Sequence, residues 1–177
     1  MNTLEAIARR RSYRGKYLPD PVSREDLTAI MQAGLDAPSG CNKQTTSLIA
    51  VDDPALLKQL YGLLLPGRED TAPAMICVLT QRIPAYQGYC YAVQDYSAAI
   101  ENMLLAIVEL GYQSCWYEGY VTDEQKLGEK MARLLGVPAD VDLICCLPVG
   151  KAAEEIRPLR KKPFEQRAWF NAFPAQD

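Results

Sequence analysis

Four arginines, Arg9, Arg10, Arg11 and Arg14, crowd the start of the chain, and three of them frame a serine in the run Arg10-Arg11-Ser12-Tyr13-Arg14. Guanidinium groups grip phosphate as bidentate forks, and a serine hydroxyl adds a further bond. Alternate residues of an extended segment point the same way, so Arg10, Ser12 and Arg14 could converge on one anionic ligand. A solvated basic loop is the competing reading of the same residues. A second basic cluster, Arg157, Arg160, Lys161 and Lys162, lies near the other end. The chain as a whole is acidic, with net charge -3 and a pI near 5.1. Two basic clusters on an acidic chain point to a local anion site and not to a nucleic-acid surface.

Two further segments have chemical potential. Ala37-Pro38-Ser39-Gly40-Cys41-Asn42-Lys43-Gln44 follows a helix end and offers backbone donors and amides to a heteroaromatic edge, or else is a turn between a helix and a strand. In Trp116-Tyr117-Glu118-Gly119 the glycine permits close backbone approach to a flat ligand, and a plain loop is the alternative. The chain has no histidine. That removes imidazole acid–base catalysis, Ser/His triads and His-ligated metals, and favours chemistry carried by a cofactor. Its six cysteines include no C-x-x-C pair, so zinc-ribbon and thioredoxin readings are poor. Cys77, Cys115, Cys145 and Cys146 sit in apolar runs and read as small core residues. No metal site is expected.

The elements that must position these segments are legible in outline. Leu4–Arg9 reads as a short helix, and Pro19-Asp20-Pro21 ends helical structure. Ser23 with Asp26 three residues on caps a helix running to about Ala37. Ser47–Val51, Ala74–Leu79, Gln113–Tyr117 and Leu143–Val149 read as strands. Pro54–Leu65, a long helix from about Tyr91 to Leu110, and Thr122–Leu135 read as helices, the last two closed by Gly111 and Gly136. The stripe Ala99, Ile100, Met103, Leu104, Ile107 and Val108 is broad, and fits a core helix or a dimer-core helix equally. The exposed-looking aromatics Trp169, Phe170 and Phe173 need a surface to cover, and a partner subunit is one candidate. Helices and strands alternate through one unit, giving an α/β or α+β sheet with helices around it in a single domain spanning 1–177. The N-terminus has no apolar signal region and no run is long enough to span a membrane, so a reduced, cytoplasmic setting is expected.

In this order, the segments resemble the nitroreductase family of flavoproteins. Arg10-Arg11-Ser12-Tyr13-Arg14 is similar to its Arg-x-Ser-x-Arg/Lys motif, and Ala37 through Gln44 to its A-P-S-x-x-N-x-Q. The resemblance continues through Ala98 to Ala106, Gly111 to Trp116, Val149-Gly150 and Lys161-Lys162-Pro163-Phe164-Glu165. It implies an α+β sandwich with a central, mostly antiparallel sheet flanked by helices, and an intertwined homodimer with exchange of the C-terminal arm. It implies FMN at the subunit interface, NADH or NADPH as donor, and a small-molecule acceptor such as a nitroaromatic or quinone, in a ping-pong cycle. Arg10 and Ser12, with Arg11 beside them, would hold the phosphate and ribityl end, Arg14 the pyrimidine edge, and Lys161 the phosphate with Arg160 and Lys162 flanking it. Pro38, Ser39, Gly40 and Asn42 would come from the other subunit, Glu118 and Gly119 would present backbone near the redox centre, and Arg68 would match a residue contacting the flavin ring. The chain departs from the family at Gln44-Thr45-Thr46, where Gln-Pro-Trp is frequent, and at Ile83 to Cys90, which reads as only a short loop where larger members carry helical insertions. That shortening implies a more open site, with Tyr86, Tyr89 and Tyr91 as lining or as packing residues. Cys41 is a redox-sensitive thiol or an inert small residue. A flavin-storage or sensing protein without turnover is the alternative function, and a basic-clustered regulatory module a third.

Overall fold

The computed structural model describes residues 1–67, 71–118, 126–158 and 160–174. Its centre is a four-stranded antiparallel sheet made of β1 (Thr46–Val51), β2 (Ala74–Thr80), β5 (Tyr117–Glu118) and β6 (Asp142–Val149), in the order β1-β2-β6-β5. Every residue of β2 is buried, because helices cover both faces of the sheet. The strand's alternation divides two cores. Ala74, Ile76 and Val78 pack on one face with residues of α2 (Arg24–Leu35) and α4 (Ala92–Glu109). Met75, Cys77 and Leu79 pack on the other with residues of α3 (Pro54–Leu64) and α5 (Leu127–Leu134). The expected α+β sandwich is therefore present.

Local signals explain the helix ends. Asn2 caps α1 (Thr3–Arg9), Ser23 accepts from the Asp26 amide at the start of α2, and Asp53 caps α3 ahead of Pro54. After α4, Gly111 takes φ +84° while its N–H and that of Tyr112 bond back to Val108 and Ile107, the glycine stop read from the sequence.

The broad stripe of α4 is covered by the chain's own core. Ala99, Ile100, Met103, Leu104, Ile107 and Val108 are all buried within this chain, as a core helix requires. Two expectations need correction. Residues 84–90 are not a plain loop: β3 (Pro84–Tyr86) and β4 (Tyr89–Cys90) form a hairpin. Gln87 and Gly88 both have positive φ, which matches the twist of a two-residue hairpin turn. The strand expected over Gln113–Tyr117 is shorter and later. Gln113 and Ser114 make only isolated bridges, to Gly150 and Ser12, and the ladder proper holds Tyr117 and Glu118. The first residues of the helix expected from Thr122 lie outside the described residues.

Candidate functional site

The arginine segment leaves α1 in extended form and docks on the stretch that leads into β5. The Tyr13 N–H donates to the Ser114 carbonyl at 2.8 Å, making a parallel bridge between Ser12 and Ser114. Tyr13 is buried and its hydroxyl donates to the Lys16 carbonyl. Its neighbours Ser12 and Arg14 are exposed, as the two-residue period of an extended segment requires. Arg10 is mostly covered, its side chain 18% exposed, and its Nε lies 3.5 Å from Glu101 Oε1 on α4. Arg11 turns back, donating to the Ala8 and Arg10 carbonyls at the C-terminal end of α1.

The 38–45 loop is held from the other side of the same helix. Asp95, in the first turn of α4 and buried, accepts from the Gly40 N–H at 2.8 Å and from the Thr45 hydroxyl at 2.7 Å. Ser39 Oγ accepts from the Gln44 N–H. Between these ties Cys41, Asn42 and Gln44 adopt positive φ, a conformation most side chains avoid. A Cβ at Gly40 would come within 2.6 Å of the Tyr91 ring, so glycine is needed for this approach. Tyr91 is thus a packing residue, whereas Tyr86 and Tyr89 stand exposed on the hairpin. Pro38, Cys41 and Asn42 are exposed and Ser39 and Gly40 half-buried. A cavity of about 180 Å³ lies under the loop, lined in part by Ser39, Gln44, Thr46 and Asp95.

Glu118 sits on β5 opposite Cys145, and its carboxylate accepts from the Trp116 indole N–H at 3.0 Å. Burial, and then the Glu118 charge, push the Tyr96 hydroxyl above its ordinary pKa, and Tyr96 meets Trp116 edge-on. Burial likewise raises the Cys145 thiol, while for Cys146 the contact with Cys77, 3.8 Å between sulfurs, comes first and burial second. These thiols are inert core groups. Arg160 and Lys161 lie exposed on the tail after β6, together with the aromatics Phe164, Trp169, Phe170 and Phe173. Arg68 and Gly119 lie outside the described residues. A groove of about 750 Å³ runs between α3 and Pro19–Pro21 and contains none of the described candidates.

Sequence reasoning passed over Asp95, Gln113 and Ser114. Asp95 carries a usable signal: it shares helical spacing with Ala99 and Met103 on the buried stripe, and a carboxylate there must have partners. Gln113 is buried, and its Oε1 has no partner among the described residues.

Comparison with known proteins decides the family. The model of the nitroreductase family matches residues 7–69 and 63–151. The chain belongs to the nitroreductase family. A protein of Archaeoglobus fulgidus named "Putative NADH dehydrogenase/NAD(P)H nitroreductase" is 34% identical over 157 residues, 86% of each chain. Among solved structures, an FMN-dependent nitroreductase of Clostridium difficile superposes with TM-score 0.81 at 26% identity, covering 96% of this chain and 99% of that one. A nitroreductase of Bacteroides fragilis with bound FMN, 27% identical, superposes at 0.72 over the whole of both chains.

Proposed function

We propose that this family member is an FMN-dependent oxidoreductase that passes electrons from NADH or NADPH to a nitroaromatic, quinone or related small acceptor in ping-pong order. The observation that carries the reading is the Arg10–Arg14 segment. Ser12 and Arg14 are turned outward while Tyr13 is anchored inward on Ser114. The donor set suits the cofactor: a phosphate monoester carries nearly two negative charges and calls for converging cations and a hydroxyl. Arg10 and Ser12 bind that end, with Arg11 adjoining. Arg14 sets a positive charge at the pyrimidine edge, which favours an anionic reduced ring. Bound FMN supplies the hydride and electron chemistry, so no histidine is required. Glu118 and Gly119 offer backbone to the ring. Arg68, Arg160 and Lys161 complete the cationic set.

A second feature supports a site shared between two chains. Glu101, facing Arg10, and Asp95, facing the 38–45 loop, are six residues apart on α4. That is about 9 Å along the axis and about 120° around it. The two loops therefore leave α4 in different directions, which suits Pro38, Ser39, Gly40 and Asn42 serving the flavin held by a partner's arginine segment. The exposed basic and aromatic tail suits an arm laid across that partner.

Two measurements on the purified protein test this. Heat-released flavin should be FMN at about one per chain, and sedimentation should give a dimer, as a site built from both chains requires. Flavin-free protein contradicts the cofactor reading. A flavin-loaded monomer contradicts the shared site.

A further inference from the structure

We propose that Asp95 is a positioning residue for the cofactor: its buried carboxylate sets the shape of the Ser39–Thr45 loop, which, on the reading above, meets FMN. The carboxylate spans the loop at both ends, through the Gly40 N–H at 2.8 Å and the Thr45 hydroxyl at 2.7 Å, although it is 55 residues from one and 50 from the other in sequence. Between those two ties the backbone holds Cys41, Asn42 and Gln44 at positive φ, costly conformations that persist only when the surroundings over-determine them. The Ser39–Gln44 bond inside the loop cannot supply that constraint alone, since it ties the loop to itself. Asp95 ties it to the core, because the next residues on the same face of α4, Ala99 and Met103, are buried. The carboxylate's own burial is compensated by the two donors and by the favourable field at the start of an 18-residue helix. Releasing either donor would let the αL residues relax and move Ser39, Gly40 and Asn42 together.

The test compares wild type, Asp95→Asn, Asp95→Ala and Thr45→Val as purified holoproteins. Each is diluted serially, and released FMN is read by its fluorescence, with the visible flavin spectrum recorded before dilution. Asparagine can keep both contacts, its carbonyl accepting from Gly40 and its amide donating to the Thr45 oxygen. Asp95→Asn should therefore hold FMN within about threefold of wild type and keep its spectrum. Asp95→Ala should release FMN at concentrations about tenfold or more higher, with an altered spectrum, and Thr45→Val should fall between. Thr45→Val also serves should Asp95→Ala fail to fold. Release from Asp95→Ala and Thr45→Val as tight as from wild type overturns the role of Asp95. So does an Asp95→Asn protein as weak as the alanine variant. Wild type that carries no FMN overturns the underlying cofactor reading, and this inference with it.

Discussion

At the residue scale, the anion-binding reading concentrates on Arg10 and Arg14. Arg10 is largely covered and oriented by Glu101, whereas the Arg14 side chain stands exposed beside buried Tyr13. Removing either guanidinium deletes a charge-assisted contact worth about 1.5–3 kcal/mol. Arg10→Ala and Arg14→Ala should each weaken FMN binding by about 10- to 150-fold in a flavin-release assay. Full retention in both would remove the arginines from the site. How legible these residues were depended on their kind. Arg10, Ser12 and Arg14 stood out because cations and a hydroxyl are the donors a phosphate needs, and the match to the family's motif set them apart from a solvated basic loop. Asp95 did not, because a single acid in a helical stretch usually faces water. Only the three-dimensional return of Gly40 and Thr45 to the start of α4 gives it a task. The departure at Gln44-Thr45-Thr46 falls in the same place, since the Thr45 hydroxyl is one of the two donors to Asp95.

At the scale of elements, the caps and breakers made the helices readable, and short continuous apolar runs did the same for β1, β2 and β6. The 84–90 hairpin was not readable as strands. Its paired segments are two and three residues long, and Gln87-Gly88 lacks the Asn-Gly or Asp-Gly signature of its turn. The Gln113–Glu118 stretch was misread by length, because it is anchored at separate points by Ser12, Gly150 and β6 instead of by one continuous ladder. That patchwork carries a prediction. Gly150 directly follows β6 and exchanges backbone bonds with Gln113, and a Cβ there would lie 2.7 Å from the Pro73 ring and 3.0 Å from Tyr17. Gly150→Ala should destabilise the fold by about 1–3 kcal/mol, seen as a lower urea midpoint, because neither the Pro73 ring nor the packed Tyr17 ring can yield easily. An unchanged midpoint would show that this junction is looser than its contacts imply.

For the whole molecule, a sheet with helices packed around it was legible in the order of the elements, but its division into two cores and the placement of tyrosines within them were not. Burial raises the hydroxyls of Tyr17 and Tyr61 above their ordinary pKa of 10.0. A raised pKa of this kind stabilises the fold fully below pH 10 and loses that contribution as pH climbs above it, since the unfolded tyrosines ionise first. An alkaline absorbance titration should therefore ionise fewer than the ten tyrosines while the fold survives, with the remainder appearing only as circular dichroism reports unfolding. Ionisation of all ten with the fold intact would contradict the packing around α3.

The central claim, that this chain is a nicotinamide-driven flavin reductase, is tested most directly by anaerobic titration of the purified protein with NADH and with NADPH. The account predicts that at least one of them bleaches the visible flavin absorbance stoichiometrically, and that adding a quinone or nitroaromatic afterwards restores it. Flavin-bearing protein that neither nucleotide bleaches would contradict the claim.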